Sequence, residues 1–154
     1  MALIVAPSSA GKSWMAQMMG DPRLVDGDVM IRDTVGWLPG RWWDHPATRL
    51  EQQHRNKSAL IRYLDEHPSA VVLFNGNIDM WYDLVTCVYL PPEFTHRENA
   101  VRRREEDPTV QPSDWDELTS NTDRLKRAAD KYDIPIVNSW FRALAMAGLF
   151  TGRG

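Results

Sequence analysis

Directly after Met1 stands Ala2-Leu3-Ile4-Val5, an unbroken apolar run that passes through the small residues Ala6-Pro7-Ser8-Ser9-Ala10 into Gly11-Lys12-Ser13. Four consecutive apolar residues without alternation suit a strand buried on both faces, the condition of a parallel sheet. Lys12 to Met19 reads as a helix whose apolar set is Trp14, Met15, Met18 and Met19, stopped by Gly20 and the Asp21-Pro22 turn. A buried strand turned tightly into a helix asks the rest of the chain for further strands and crossover helices.

Those elements follow. Leu24-Val25 is a second short strand ending in Asp26-Gly27-Asp28. Pro46 to His67 is the longest helical pattern, opened by an early proline and closed by Pro68, with Leu50, Leu60, Ile61 and Leu64 inward and a polar first half. Ala70 to Phe74, Leu84 to Leu90 and Ile134 to Val137 read as the third, fourth and fifth strands. Ile78 to Tyr82 allows a short helix or loop. Thr95 to Glu106 and Ser113 to Tyr132 read as helices, Ser113 being an N-cap with Asp116 at capping-box spacing. Ser139 to Leu149 is a last helix, apolar on most faces. The alternation predicts an open three-layer α/β sandwich with a mostly parallel sheet and right-handed crossovers.

At 154 residues and 43% apolar composition the chain is one domain, 1–154, with no repeat or linker. Eighteen basic against 21 acidic residues give a net charge of -3, which excludes a polybasic nucleic-acid binder and leaves room only for a local basic patch. The lone Cys87 forms no internal disulfide and reads as a small buried hydrophobe. His45, His54, His67 and His96 lack Cys partners at zinc spacing and take surface or capping roles. A reducing, cytoplasmic setting fits. The apolar run from Met1 to Ala6 is too short for a signal or membrane segment, so no membrane partner is expected.

The turn after the first strand is the Walker A pattern G-x-x-x-x-G-K-[ST] with Ala6 in the first glycine position. Small residues let the backbone N–H groups of Ser8, Ser9, Ala10 and Gly11 close around a phosphate, and the helix N-terminus adds its positive end. Lys12 supplies a cation for the β- and γ-phosphates, and the Ser13 hydroxyl a ligand for the Mg²⁺ between them. Trp14, opening the helix, is counted with this ATP site. About fifteen residues on, Asp26-Gly27-Asp28 ends the expected neighbouring strand at the sheet's carboxyl edge, where ligands bind. Transfer to an alcohol needs a carboxylate to take the hydroxyl proton and an acid to hold Mg²⁺ through water. Asp26 and Asp28 fill both roles, with the base unassigned and Asp26 placed on the metal.

The loop, followed by Val-Asp-Gly-Asp and Ile31-Arg32, resembles the small P-loop kinases: shikimate, gluconate and adenylylsulfate kinases, polynucleotide 5'-kinases and nucleoside monophosphate kinases. The resemblance implies a five-stranded parallel sheet in the order 2-3-1-4-5, ATP with Mg²⁺, and an Asp in the matching turn as base or substrate ligand. The third strand departs from that pattern, ending in Asn75-Gly76-Asn77 with no aspartate at its tip. Asn75 and Asn77 either hydrogen-bond the substrate or form a plain turn.

In these kinases a mobile lid follows the fourth strand, here about 92–112, carrying Arg97, Arg102, Arg103 and Arg104. At least one of the four is assigned to ATP, with Arg103 placed on the transition-state charge and Arg104 on ATP and the choice among the four left open; a solvated face balanced by Glu98, Glu105 and Glu106 is the alternative. The acceptor side is expected in an insertion at about 34–58. It holds Trp37, read as core, then Arg41, Trp42, Trp43 and Arg49, with Arg32 just before it. Rings beside cations suit a base that stacks and a phosphate that pairs.

The sequence therefore predicts an ATP-dependent kinase acting on a hydroxyl of a nucleotide-type acceptor. In overall character it resembles the small virus-encoded kinases of 5-hydroxymethyluracil in DNA, which would place it in a host cytoplasm. The alternatives are a kinase of a nucleoside, nucleoside monophosphate or other small alcohol, and a nucleotide-binding module without transfer activity. Oligomeric state is left open.

Overall fold

The computed structural model describes residues 2–75, 78–106 and 115–149. Its elements in chain order are β1 (Ala2–Val5), α1 (Lys12–Met19), β2 (Leu24–Asp26), α2 (Gly27–Thr34), α3 (Pro46–Glu66), β3 (Val71–Phe74), α4 (Ile78–Trp81), β4 (Val85–Tyr89), α5 (Glu93–Glu106), α6 (Trp115–Lys131), β5 (Ile136–Val137) and α7 (Trp140–Met146). One parallel sheet runs β2-β3-β1-β4-β5, with Ile4 beside Leu73 on one side and Cys87 on the other. The expected order holds. The fifth strand is shorter than the pattern from Ile134 suggests, and β3 separates β2 from β1, so the acidic segment is not on the strand next to the loop.

Alternation divides each strand between two cores. Leu3, Val5, Val72, Phe74 and Val88 face Ile31, Leu60, Leu64, Trp81 and Leu125 from α2, α3, α4 and α6. Ala2, Ile4, Val71, Leu73, Cys87 and Tyr89 face Ala143 and Leu144 of α7, with Met15 and Met19 of α1 against them. Burial pushes the Cys87 thiol up to about 11, as a packed hydrophobe requires.

Several inward assignments are corrected. Trp14 and Met18 on α1, and Phe141 and Met146 on α7, are exposed, because each helix lays one narrow stripe on the sheet. Leu50 and Ile61 are exposed as well. The buried stripe of α3 runs through Gln52, Asn56, Leu60 and Leu64 at four-residue spacing. Two of its four positions are amides, so apolar periodicity misplaces the inner face. The proposed cap Ser113 and lid residues 107–112 lie outside the described residues. Among the described residues no helix is long and apolar enough to cross a membrane.

Candidate active site

Most carbonyls of the turn between β1 and α1 are bonded to side chains, while the Ala10 N–H closes the turn on the Pro7 carbonyl at 3.3 Å. Lys12 is buried, and its ammonium donates to the carbonyls of Pro7 (2.8 Å) and Ala6 (3.3 Å). The Ser8 carbonyl accepts from Nε2 of His96 at 2.7 Å, and the Ala10 carbonyl from the Trp140 indole N–H at 3.2 Å. Ser9 and Gly11 are left-handed, with φ of 62° and 92°, so the backbone turns back on itself as an anion-binding nest does. Burial draws the Lys12 pKa down, partly offset by Asp28 and Asp26 and reinforced by the Arg103 charge.

The Asp-Gly-Asp segment is a helix start rather than a surface turn. Asp26 caps α2, its Oδ1 accepting from the Asp28 N–H at 3.0 Å while its Oδ2 accepts from the Ser13 hydroxyl at 2.6 Å. The sequence pattern had no helix here. Gly27 is required by contact: a Cβ on it would sit 2.7 Å from both the Leu73 carbonyl and the Phe74 ring. That closeness sets α2 against β3 and turns Asp28 into the cleft. Asp28 is open to the cleft but walled by protein on its other sides, and this loss of water raises its carboxyl; Lys12 opposes the shift, Asp26 adds to it and Arg103 opposes it.

Asp28 also borders a cavity of about 90 Å³ with Trp37, Trp42, Gln53, Asn56, Phe74, Asn75 and Trp81. Trp37 is not a core residue. It stacks on Trp42, ring centres 5.8 Å apart and planes within 11°, as one wall of the cavity. Gln52 holds that wall, accepting from the Leu38 N–H and donating to the Gly36 carbonyl and to Asn56. The Trp81 indole N–H is buried without a partner among the described residues. Asp28 is the one ionisable side chain of the described lining. A larger cleft of about 440 Å³, lined in part by Ala16, Val25, Val29 and Met30, meets the site through Ser13 and Asp26.

Other expected ligands lie elsewhere. Trp43 packs edge-on to Trp42 outside the cavity lining, beneath Arg41 at 5.1 Å. Arg41 is engaged by Asp44 at 2.6 Å and lies 3.9 Å from Glu117, and Arg32 pairs with Asp33 at 2.9 Å. Arg49 is exposed and outside the lining. The expected basic stripe is thus largely neutralised by the chain's own acids. Asn77 lies outside the described residues. On α5, Arg103 reaches the loop, its guanidinium donating to the Ser8 hydroxyl at 3.2 Å; Arg97 instead lies over Trp115 at 4.7 Å, and Arg104 is exposed. Trp14, exposed on α1, has no ring contact among those described.

Three buried side chains reach the site that the sequence did not assign to it. His96 is buried against the loop, not on the surface, Asn56 lines the cavity, and Gln52 is buried behind its wall. The signal for the amides was their four-residue spacing from Leu60 and Leu64. For His96 it was the spacing to Asn99 and Arg103 along one helix face.

Among the described residues no three acidic, His or Cys side chains converge as a metal cage. The adjoining Ser13 and Asp26 oxygens fit Mg²⁺, which takes one or two protein oxygens and completes its shell with phosphate and water.

No protein-family model matches the sequence, and no curated protein matches it. Among solved structures, a shikimate kinase from Acinetobacter baumannii in complex with shikimate is similar, with a TM-score of 0.57 and 16% identity over 96% of this chain and 89% of that one. A shikimate kinase from Bacteroides thetaiotaomicron is similar with a TM-score of 0.52 and 14% identity, over 96% of this chain and 94% of that one. With the sheet order and the helices on both faces, this likeness establishes that the chain has the P-loop kinase fold.

Proposed function

We propose that the protein is an ATP-dependent kinase that phosphorylates a hydroxyl on a small, neutral, flat acceptor of the nucleobase or nucleoside type. One observation carries this reading: Asp28 interacts electrostatically with Lys12 and Arg103 and also borders the Trp37–Trp42 cavity. A carboxylate between a phosphate loop and an acceptor pocket has work to do in transfer, and none in mere nucleotide binding. The kinase fold supports the same class of reaction.

The loop N–H groups and Lys12 would hold the triphosphate, with Lys12 leaving its carbonyl partners for the phosphates. Mg²⁺, when bound through Ser13 and Asp26, neutralises phosphate charge. Asp28 would accept the hydroxyl proton as the acceptor's oxygen attacks the γ-phosphorus and the bond from that phosphorus to the β,γ-bridging oxygen breaks, releasing ADP, and Arg103 would stabilise the charge on the moving phosphoryl group. The cavity has room for about one ring. Stacked indoles, the amides of Gln53 and Asn56 and the unpartnered Trp81 N–H suit a ring bearing carbonyl oxygens. The carboxylate of an acidic alcohol such as shikimate would find no cation in the described lining, whose one charge is the negative Asp28. A 5-hydroxymethyluracil ring satisfies these demands as a free nucleoside; reaching it in DNA would need the cations that Asp33, Asp44 and Glu51 engage at Arg32, Arg41 and Arg55.

The test is transfer of labelled γ-phosphate from ATP to 5-hydroxymethyl-pyrimidine nucleosides, to the same base in single- and double-stranded oligonucleotides, and to shikimate. Label in the free nucleosides is expected. Label in shikimate alone overturns the acceptor class, label in oligonucleotides alone moves it to polymer, and ATP binding without transfer to any alcohol defeats the kinase reading.

A further inference from the structure

The phosphate loop is held in shape by two side chains that lie outside it. A trans peptide carries its C=O and N–H on opposite sides, so whatever binds the carbonyl also decides where the next N–H points. In a phosphate nest the N–H groups must converge, and the carbonyls must therefore find donors on the outside. Of the loop carbonyls, that of Ala6 is taken by Lys12, that of Pro7 by Lys12 and by the Ala10 N–H at 3.3 Å, and that of Gly11 by the Met15 N–H within the helix start. The remaining two described bonds come from distant elements: His96 of α5 to Ser8, and Trp140 of α7 to Ala10.

The peptide most in need of a lock is Ser8-Ser9. Ser9 has a φ of 62°, a left-handed conformation that costs a non-glycine residue about 1 kcal/mol. Rotation of this peptide would relieve Ser9 and swing the Ser8 carbonyl round, placing an acceptor where a donor belongs. A carbonyl cannot donate, so His96 must carry its proton on Nε2 at this contact. Burial, with the Lys12 charge adding to it, lowers the His96 pKa against the opposing pull of the Ser8 bond. The ring is itself held, its face at 69° to that of Trp115 with centres 5.4 Å apart. Asn99 and Arg103 follow on the same face of α5, the Asn99 amide lying 3.8 Å from where a Gly11 Cβ would be and Arg103 on the Ser8 hydroxyl. Trp140 is braced in turn by stacking on Tyr89 at 4.0 Å.

We infer that His96 and Trp140 are positioning residues for ATP, donating hydrogen bonds to the Ser8 and Ala10 carbonyls so that the loop N–H groups face the phosphates. This rests on the ATP site of the reading above, but its test reads binding rather than transfer.

ATP affinity is measured by calorimetry for the full chain and for His96→Phe, His96→Gln and Trp140→Phe, alongside the nucleotide-free melting temperature. Trp140→Phe keeps a ring on Tyr89 and removes only the N–H. His96→Phe and Trp140→Phe are expected to weaken ATP about five- to tenfold, as loss of one such bond predicts, and His96→Gln, which keeps an N–H, to restore most of it. A purely structural role would lower the melting temperature and leave the affinity of the folded fraction unchanged. ATP affinity within twofold of wild type in both phenylalanine variants overturns the inference; should His96→Phe fail to fold, the same result in Trp140→Phe alone overturns it. Wild-type protein that binds ATP and transfers nothing defeats the kinase reading and leaves this test in force.

Discussion

The Ser13 hydroxyl donates to Oδ2 of Asp26 at 2.6 Å, joining the first turn of α1 to the cap of α2 across the strand that separates β1 from β2. The two groups proposed to hold Mg²⁺ therefore orient each other. Ser13→Ala and Asp26→Asn should each raise the Mg²⁺ concentration needed for half-maximal transfer about tenfold or more, in line with metal-site mutations generally. Asparagine caps helices as well as aspartate does, so Asp26→Asn should keep its melting temperature. Unchanged Mg²⁺ titrations in both would remove the metal from this pair.

Asp28→Asn should lower transfer by about 10²- to 10⁴-fold with ATP affinity within a few-fold of wild type. Because the folded Asp28 carboxyl is raised, the acidic limb of the wild-type rate profile should lie above the ordinary carboxylate range, activity falling as pH drops through it. The stability sign is the reverse. A raised acid contributes stability that is fully present below its unfolded value and is lost as pH rises through the folded one, and the openness of Asp28 to the cleft keeps that contribution small. A limb confined to the ordinary carboxylate range would show that another group is the base.

Arg103→Ala should lower kcat about 10²-fold or more, since its guanidinium reaches the loop, whereas Arg104→Ala should stay near wild type. Equal losses in the two steady-state assays would mean that α5 turns on closing.

Gly27→Ala should cost about 1–3 kcal/mol, read as a lower melting temperature, because the added methyl meets a backbone carbonyl and a packed ring that have nowhere to move. An unchanged melting temperature would show that α2 can shift from β3.

Trp42→Ala should raise KM for the acceptor with KM for ATP unchanged, and Trp43→Ala, outside the cavity lining, should have the smaller effect. The reverse order would place the acceptor on the Arg41 side.

What the sequence determined by itself was the frame: a β1 buried on both faces, the loop that turns it into α1, and the strand and helix succession that follows. Those are local signals, carried by contiguous runs and fixed motif spacing. The 2-3-1-4-5 order came from the resemblance, and the sheet agrees with it. The sequence could not say which polar residues are inside. Gln52, Asn56 and His96 look like surface residues in any polarity count; Gln52 and His96 are buried because distant backbone groups, at Gly36, Leu38 and Ser8, supply their hydrogen-bond partners, and Asn56 accepts from the Gln52 amide. Nor could it tell the arginines apart. Arg103 meets the loop while Arg32 and Arg41 meet their own chain's acids, a choice made by helix rotation and by which neighbour lies within reach. Tertiary structure also moved Trp37 from the core to the cavity wall, since its partner Trp42 comes to it only through the intervening loop. Chain-local periodicity sets the elements; pairing between groups far apart in the chain sets the site.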